Sequence, residues 1–223
     1  MRAGRHGLAS FVIGFAAFAG GLAWQRGTAP PRASDPDAAR IESEVLVELN
    51  RARANPSAFA QDIEQLVPLY DGTLLHRPGW TIPERTIEGV TAARSAILAL
   101  RATHPVGPLT LSAGLSRAAR DQVMDQSRTG AVGHTGSDGS SVTDRVMRYG
   151  VWHGTVNESI DYGLDPTGRD VVLSLLIDDG VPDRGHRANL LDPAVHLAGI
   201  ACGTHPRFKR MCVIDLAAGF TPK

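Results

Sequence analysis

The sequence predicts an α+β domain in which helices cover an antiparallel sheet. Three observations carry that prediction. Apolar residues recur at helical spacing up to about residue 130, strand-like alternation appears beyond about residue 150, and Cys202 and Cys212 flank a turn-like segment between strand-like neighbours. The chain has 223 residues, enough for one domain of ordinary size plus a short appendage. Its 43% hydrophobic and 21% charged residues exclude both a disordered chain and a polytopic membrane protein.

From the N-terminus, Arg2 and Arg5 precede an apolar run over 8–19, with no acidic residue before Asp35. Ala17-Phe18-Ala19 and Gly21-Leu22-Ala23 offer small-residue cleavage sites. This is the pattern of a secretory signal peptide over 1–23, and its apolar stretch falls short of the roughly 18 residues that a membrane span requires. Residues 25–34 lack apolar periodicity, so 24–39 is assigned as a flexible leader and 40–223 as the domain. The mature chain is then expected to lie outside the cytoplasm, in the periplasm or beyond the cell, with no stable membrane span.

Asp35-Pro36 pairs an N-cap residue with proline, and Ile41, Val45 and Leu49 follow at four-residue spacing, predicting a helix over about 36–53. Asn55-Pro56 repeats the start signal for a second helix that buries Phe59, Ile63, Leu66 and Val67. Pro68, Gly72, Pro78, Gly79 and Pro83 mark 68–85 as a surface loop. A third helix is predicted over about 84–103, burying Val90, Ala93, Ile97 and Leu100, and a fourth starts at the Ser112 cap and stops at Gly130. The glycine- and serine-rich stretch 130–141 reads as a loop, followed by a short helix over about 142–149. Residues 152–162 alternate as a strand with Val156, Glu158 and Ile160 on one face. The apolar run 171–177 fits a buried helix or a buried strand, and the Asp165-Pro166 signal favours helix. A short helical segment at 185–191 stops before Pro193, and a hairpin closes the chain.

Charge narrows the function classes. Lys and Arg total 23 and Asp and Glu total 23, so no basic field attracts nucleic-acid phosphates, and 5% aromatic residues are too sparse for a base-stacking platform. Loss of Arg2 and Arg5 with the signal peptide leaves 21 cationic against 23 anionic side chains. An even number of cysteines in an oxidising compartment favours a Cys202–Cys212 bond across the hairpin, contributing about 3 kcal/mol in the chain-entropy account.

Candidate chemistry rests on scattered residues. His134 lies in the glycine-rich loop, Glu158 sits in the middle of a strand, and His186 follows Gly185 with Asp178 and Asp179 just upstream. Two imidazoles and a carboxylate are the materials of a divalent metal site or an acid–base pair. If the Glu158 face is buried, its carboxylate needs a partner. No Gly-x-Ser-x-Gly elbow, His-Glu-x-x-His helix or phosphate-binding loop with Lys-Ser/Thr occurs, which disfavours a serine hydrolase, a zincin and a nucleotide site.

Taken in order, Gly133-His134-Thr135, Asn157-Glu158-Ser159-Ile160 and Gly185-His186-Arg187-Ala188-Asn189-Leu190-Leu191 resemble the signature segments of the CAP superfamily, also called the SCP domain. That superfamily holds cysteine-rich secretory proteins, insect antigen 5 and plant pathogenesis-related proteins. Leu49-Asn50-x-x-Arg53 and Leu109-x-Leu111-Ser112-x-x-Leu115-x-x-Ala118-Ala119 are similar to its other common elements, so the resemblance covers roughly 40–220. The stretches 136–141 and 178–186 resemble a bacterial subgroup.

The resemblance implies an α-β-α sandwich with a central cleft lined by two histidines and two acidic residues. His134, Glu158 and His186 match three of those positions. The fourth is a Glu in many eukaryotic members, and here Asp178 or Asp179 stands in its place. The resemblance further implies a divalent metal held by His134 and His186, with zinc preferred because imidazole nitrogen suits it. It also allows an apolar or lipid ligand. Two readings follow: an exported binding module, and a metal-assisted hydrolase in which Glu158 is the general base. No nucleophile or elbow is present, and that favours the binding module. For the signal peptide, N-terminal sequencing of protein recovered outside the cytoplasm should return Gly20 or Trp24 as the first residue, whereas an intact chain retained inside would contradict it.

Overall fold

The structure is a computed structural model and describes residues 37–223. The expected signal peptide and nearly all of the expected leader lie outside the described residues. Helix α1 (Ala38–Ala54) buries Ile41, Val45, Leu49 and Ala52, the four-residue stripe read from the sequence. Helix α2 (Pro56–Glu64) starts where Asn55 Oδ1 accepts the Ala58 amide at 3.0 Å, with Pro56 in the first turn. Helices α3 (Val90–Ala102) and α4 (Ala113–Thr129) follow. Ser112 caps α4, and Gly130 closes it in the left-handed conformation at φ 71°. A capping box of Ser141 and Asp144 opens α5 (Val142–Met147). Helix α6 (Gly168–Ile177) resolves the ambiguous apolar run, with Thr167 as the cap in place of Asp165. Helix α7 (Gly185–Leu191) ends just ahead of Pro193.

Two expectations need correction. The segment 68–85 is more than a loop: β1 (Tyr70–Asp71), β2 (Leu74–Leu75) and β3 (Glu84–Arg85) form a small antiparallel sheet. It is anchored by buried Arg77, which donates to Glu84 at 2.7 Å and to Asp170 of α6 at 3.3 Å. Consequently α3 begins at Val90 and not near residue 84. Proline and glycine spacing announced the breaks but carried no trace of two-residue strands.

The main sheet comprises β4 (Thr110–Leu111), β5 (Gly150–Gly163), β6 (Leu197–His205) and β7 (Lys209–Pro222), in the order β4-β6-β7-β5. It is antiparallel except for the short β4, which runs parallel to β6. Strand alternation assigns its faces. Ala198, Ile200, Cys202, Cys212, Ile214 and Leu216 join the core built by α1, α2, α3, α6 and α7. Ile160, Ala201, Met211, Val213 and Ala217 point the other way, into clusters with α4 and α5. Helices thus cover both faces, the α-β-α sandwich that the resemblance implied. Close packing is enforced at Gly199, where an added Cβ would lie 2.1 Å from the Leu115 backbone carbonyl carbon of α4.

Cys202 and Cys212 are directly opposed across β6 and β7 and form a disulfide with an S–S distance of 2.09 Å. Among the described residues no helix is long and apolar enough to cross a membrane.

Arg53 carries an unusual share of the architecture. Fully buried at the end of α1, it donates to Gly107 O (2.8 Å), Leu190 O (2.8 Å), Asp192 O (3.0 Å) and Val195 O (3.1 Å). These carbonyls lie at the end of α7 and in the loops around it, outside the helix and sheet ladders, and the guanidinium bonds them in place of water. Arg53→Ala should therefore lower unfolding free energy in urea by about 3 kcal/mol or more, because buried acceptors are stranded together. Arg53→Lys should recover little of it, since one ammonium cannot span the same fork; a fully stable Lys variant would contradict this account.

Candidate functional site

Strand β5 positions the first half of the site. The face that carries Val156, Glu158 and Ile160 turns toward α4 and α5, so Glu158 is buried, its side chain 1% exposed. A carboxylate there requires partners. Arg145 of α5, equally buried, donates from Nη2 to Glu158 Oε2 at 2.6 Å. The same guanidinium donates from Nη1 to the carbonyls of His134 (3.1 Å) and Ser140 (3.0 Å). Arg145 therefore fixes both ends of the loop that carries His134 against the strand that carries Glu158.

That loop is braced upstream as well. Tyr162 Oη accepts the Gly133 amide at 2.9 Å, while Gln122 and Gln126 donate to the Gly133 carbonyl at 2.9 and 2.6 Å. His205 Nε2 meets the Ala131 carbonyl at 3.0 Å. The held backbone aims His134 Nδ1 at Glu158 Oε1, 2.8 Å away, with the imidazole side chain 54% exposed.

The second half comes from the opposite layer. Asp178 caps the C-terminus of α6 in the left-handed conformation at φ 60°, which turns its carboxylate toward α7. Oδ1 meets His186 Nδ1 at 2.7 Å, and Oδ2 accepts the Arg187 amide at 3.1 Å. Arg187 in turn donates to the carbonyls of Leu176 (2.6 Å) and Ile177 (2.8 Å), bonding α7 to the end of α6. One turn beyond His186, Asn189 donates to Glu158 O at 3.3 Å and Ser159 Oγ at 3.4 Å. β5 is the edge of the main sheet, and this contact seats α7 on its free side. The two imidazole–carboxylate pairs are joined through β5.

The sequence-derived acids now separate. Asp178 is the acid that pairs with His186. Asp179 belongs elsewhere: its carboxylate accepts the backbone amides of Ile87 and Glu88 ahead of α3. Arg145, Asn189 and Asp215 were missed. Arg145 gave no signal beyond its place after a capping box, and Asp215 was an acid inside an apolar strand run. A groove of about 620 Å³ runs between β5 and α7, lined by Thr155, Asn157, Arg184, Asn189 and Leu191 among others.

A sequence model of the cysteine-rich secretory protein family, CAP, matches residues 94–216, more than half of the chain. This chain belongs to the CAP family. Two solved structures are similar to the CAP fold seen here. One is an extracellular protein containing an SCP domain from Bacillus anthracis, 17% identical with a TM-score of 0.41, over 56% of this chain and 38% of that chain. The other is an outer surface protein from Borrelia burgdorferi, 16% identical with a TM-score of 0.43, over 60% of this chain and 91% of that chain. This CAP chain thus matches well under half of the Bacillus protein's length. No curated protein matches its sequence.

Within this CAP domain each signature residue has a physical task. Asn50 of α1 exchanges two hydrogen bonds with the Leu109 backbone, at 3.0 and 2.7 Å, and Arg53 gathers the turns on either side of the sheet. Arg145 offers the sharpest test of the site's dependence on one buried ion pair. Arg145→Met leaves Glu158 buried without its counter-charge, and unfolding free energy should drop by about 3–5 kcal/mol. Arg148→Met, at a solvent-exposed pair, should change little. Equal losses in the two variants, read by urea denaturation, would contradict the assignment.

Proposed function

We propose that this CAP-domain protein is an exported binding module that holds a divalent transition metal, zinc by preference, with His134 and His186. The supporting observation is the same at both residues: a carboxylate takes Nδ1 at 2.8 Å (Glu158) or 2.7 Å (Asp178). An imidazole that donates Nδ1–H to a carboxylate keeps its Nε2 lone pair free, and such outer carboxylates orient metal-binding histidines and raise their basicity. Neutral imidazole Nε2 is a donor that zinc takes, which supports the reading. Two neutral imidazoles make a partial coordination shell, completed by water or by a donor of the bound ligand. Among the described residues, no three His, Cys, Asp or Glu side chains converge as a closed site, so modest affinity is expected. A bound ion would supply a positive centre for an oxygen or nitrogen donor of that ligand.

The groove beside α7 has a mixed lining, with Thr155, Asn157 and Asn189 against Ala188, Leu191 and Pro193. That lining suits a small ligand with both apolar and hydrogen-bonding parts, so the apolar or lipid ligand of the resemblance stays part of this reading. The hydrolase reading has less support. A general base must reach a water, and the Glu158 side chain is sealed at 1% exposure behind its contacts with His134 and Arg145. Export is supported by the N-terminal pattern and by the Cys202–Cys212 bond, since disulfides persist in oxidising compartments.

Calorimetric titration of metal-free protein with Zn²⁺ tests the reading. Binding should weaken between about pH 7.5 and about pH 5.5, because an imidazole must be unprotonated to give its lone pair. His134→Ala or His186→Ala should each remove most of the affinity, whereas His153→Ala and His196→Ala should leave it intact. Equal binding by the wild type and the His134→Ala/His186→Ala double variant would refute the site.

A further inference from the structure

Strand register sets Asp215 of β7 directly opposite Glu158 of β5, on the face covered by α4 and α5. The Asp215 side chain is fully buried, and among the described residues neither of its carboxylate oxygens has a hydrogen-bond donor within reach. The charged groups that act on it are Glu158 and Arg145; His134 reaches Glu158 from the loop side. Its neighbour on β6 is Gly199, and α4 presents the uncharged Leu115, Ala118 and Ala119 to this face. One guanidinium therefore serves two carboxyl groups sealed from water. Like charges directly across a strand pair repel, and an ionised carboxylate with no donor is strongly unfavourable inside a protein.

The geometry distinguishes the two groups. Glu158 accepts from Arg145 at 2.6 Å and meets His134 Nδ1 at 2.8 Å, so its oxygens are supplied with partners. Asp215 has no such donors, and a proton on it supplies the one it lacks. We propose that Asp215 is a positioning residue of the site: it carries a proton and donates it to Glu158, which then holds the His134 imidazole in one orientation. The proton stays on Asp215, the Glu158 charge is balanced by Arg145, and the three groups together carry no net charge. Burial, the larger influence, and the neighbouring Glu158 both push the Asp215 carboxyl well above the usual carboxylate range, in the direction that this arrangement needs.

The consequence for metal affinity rests on the zinc reading given above; the shared proton does not. Two variants separate the terms. Asp215→Asn keeps the shape and offers Glu158 an amide N–H in place of the O–H, whereas Asp215→Leu removes the donor. An infrared difference spectrum between metal-free wild type and Asp215→Asn at about pH 7.5, where an ordinary carboxyl is ionised, should show that wild type has an un-ionised carboxyl C=O stretch that the variant lacks. Loss of a carboxylate band in its place would overturn the shared proton. For positioning, Asp215→Asn should bind Zn²⁺ within about threefold of wild type and Asp215→Leu about tenfold or more weakly, the loss typical of an outer-shell partner. Wild-type affinity in Asp215→Leu would overturn the positioning role. If even wild type binds no Zn²⁺, the metal reading fails on its own. The His134 ring tautomer, measured by nitrogen NMR, then reads positioning: single in wild type and Asp215→Asn, mixed in Asp215→Leu.

Discussion

The buried ion pair between Glu158 and Arg145 is the constraint on which the rest of the site depends. A strand carboxylate with a side chain 1% exposed is tolerable only with a fixed counter-charge and filled lone pairs. Arg145 provides the charge, and because its remaining donors go to the carbonyls of His134 and Ser140, neutralising the strand also folds the loop. Electrostatic necessity on β5 thereby becomes geometry at His134. A hydrophobic replacement of the pair could pack as well, but it could not orient an imidazole.

The second pair is built by different means and meets the first through the sheet edge. Asp178 is placed by the left-handed end of α6, His186 by the start of α7, and Arg187 bonds the two helices together through the last carbonyls of α6. Asn189 then uses a backbone carbonyl on the free side of β5, where an edge strand has acceptors to spare. Remote residues support this. Arg53 holds the carbonyls of Leu190, Asp192 and Val195, so the far end of α7 is fixed from α1. The site straddles two helical layers because each layer is tied to the same strand.

Much of this was legible in the sequence for identifiable reasons. The stripe Ile41, Val45, Leu49 and the caps at Asn55, Ser112 and Gly130 are local signals, and they mark α1, α2 and α4 closely. The order of the three signature segments singled out His134, Glu158 and His186, although their spacing along the chain says nothing about contact. Arg145, Asn189 and Asp215 stayed hidden because their roles are set by burial and by partners distant in sequence. Choosing between Asp178 and Asp179 required the φ of a helix cap, since adjacent acids on a turn point to different neighbours. The two-residue strands of the small sheet escaped notice because they are too short to show a period.

Glu158 and Asp178 are placed to hold His134 and His186 with Nδ1 protonated and Nε2 open in the metal-free protein. Nitrogen NMR of selectively labelled histidine, recorded above about pH 8 where an ordinary imidazole is neutral, reads that property directly. Both rings should be the Nδ1–H tautomer. An Nε2–H tautomer at either residue would contradict this, because the atom that the proposed metal would take already carries a proton.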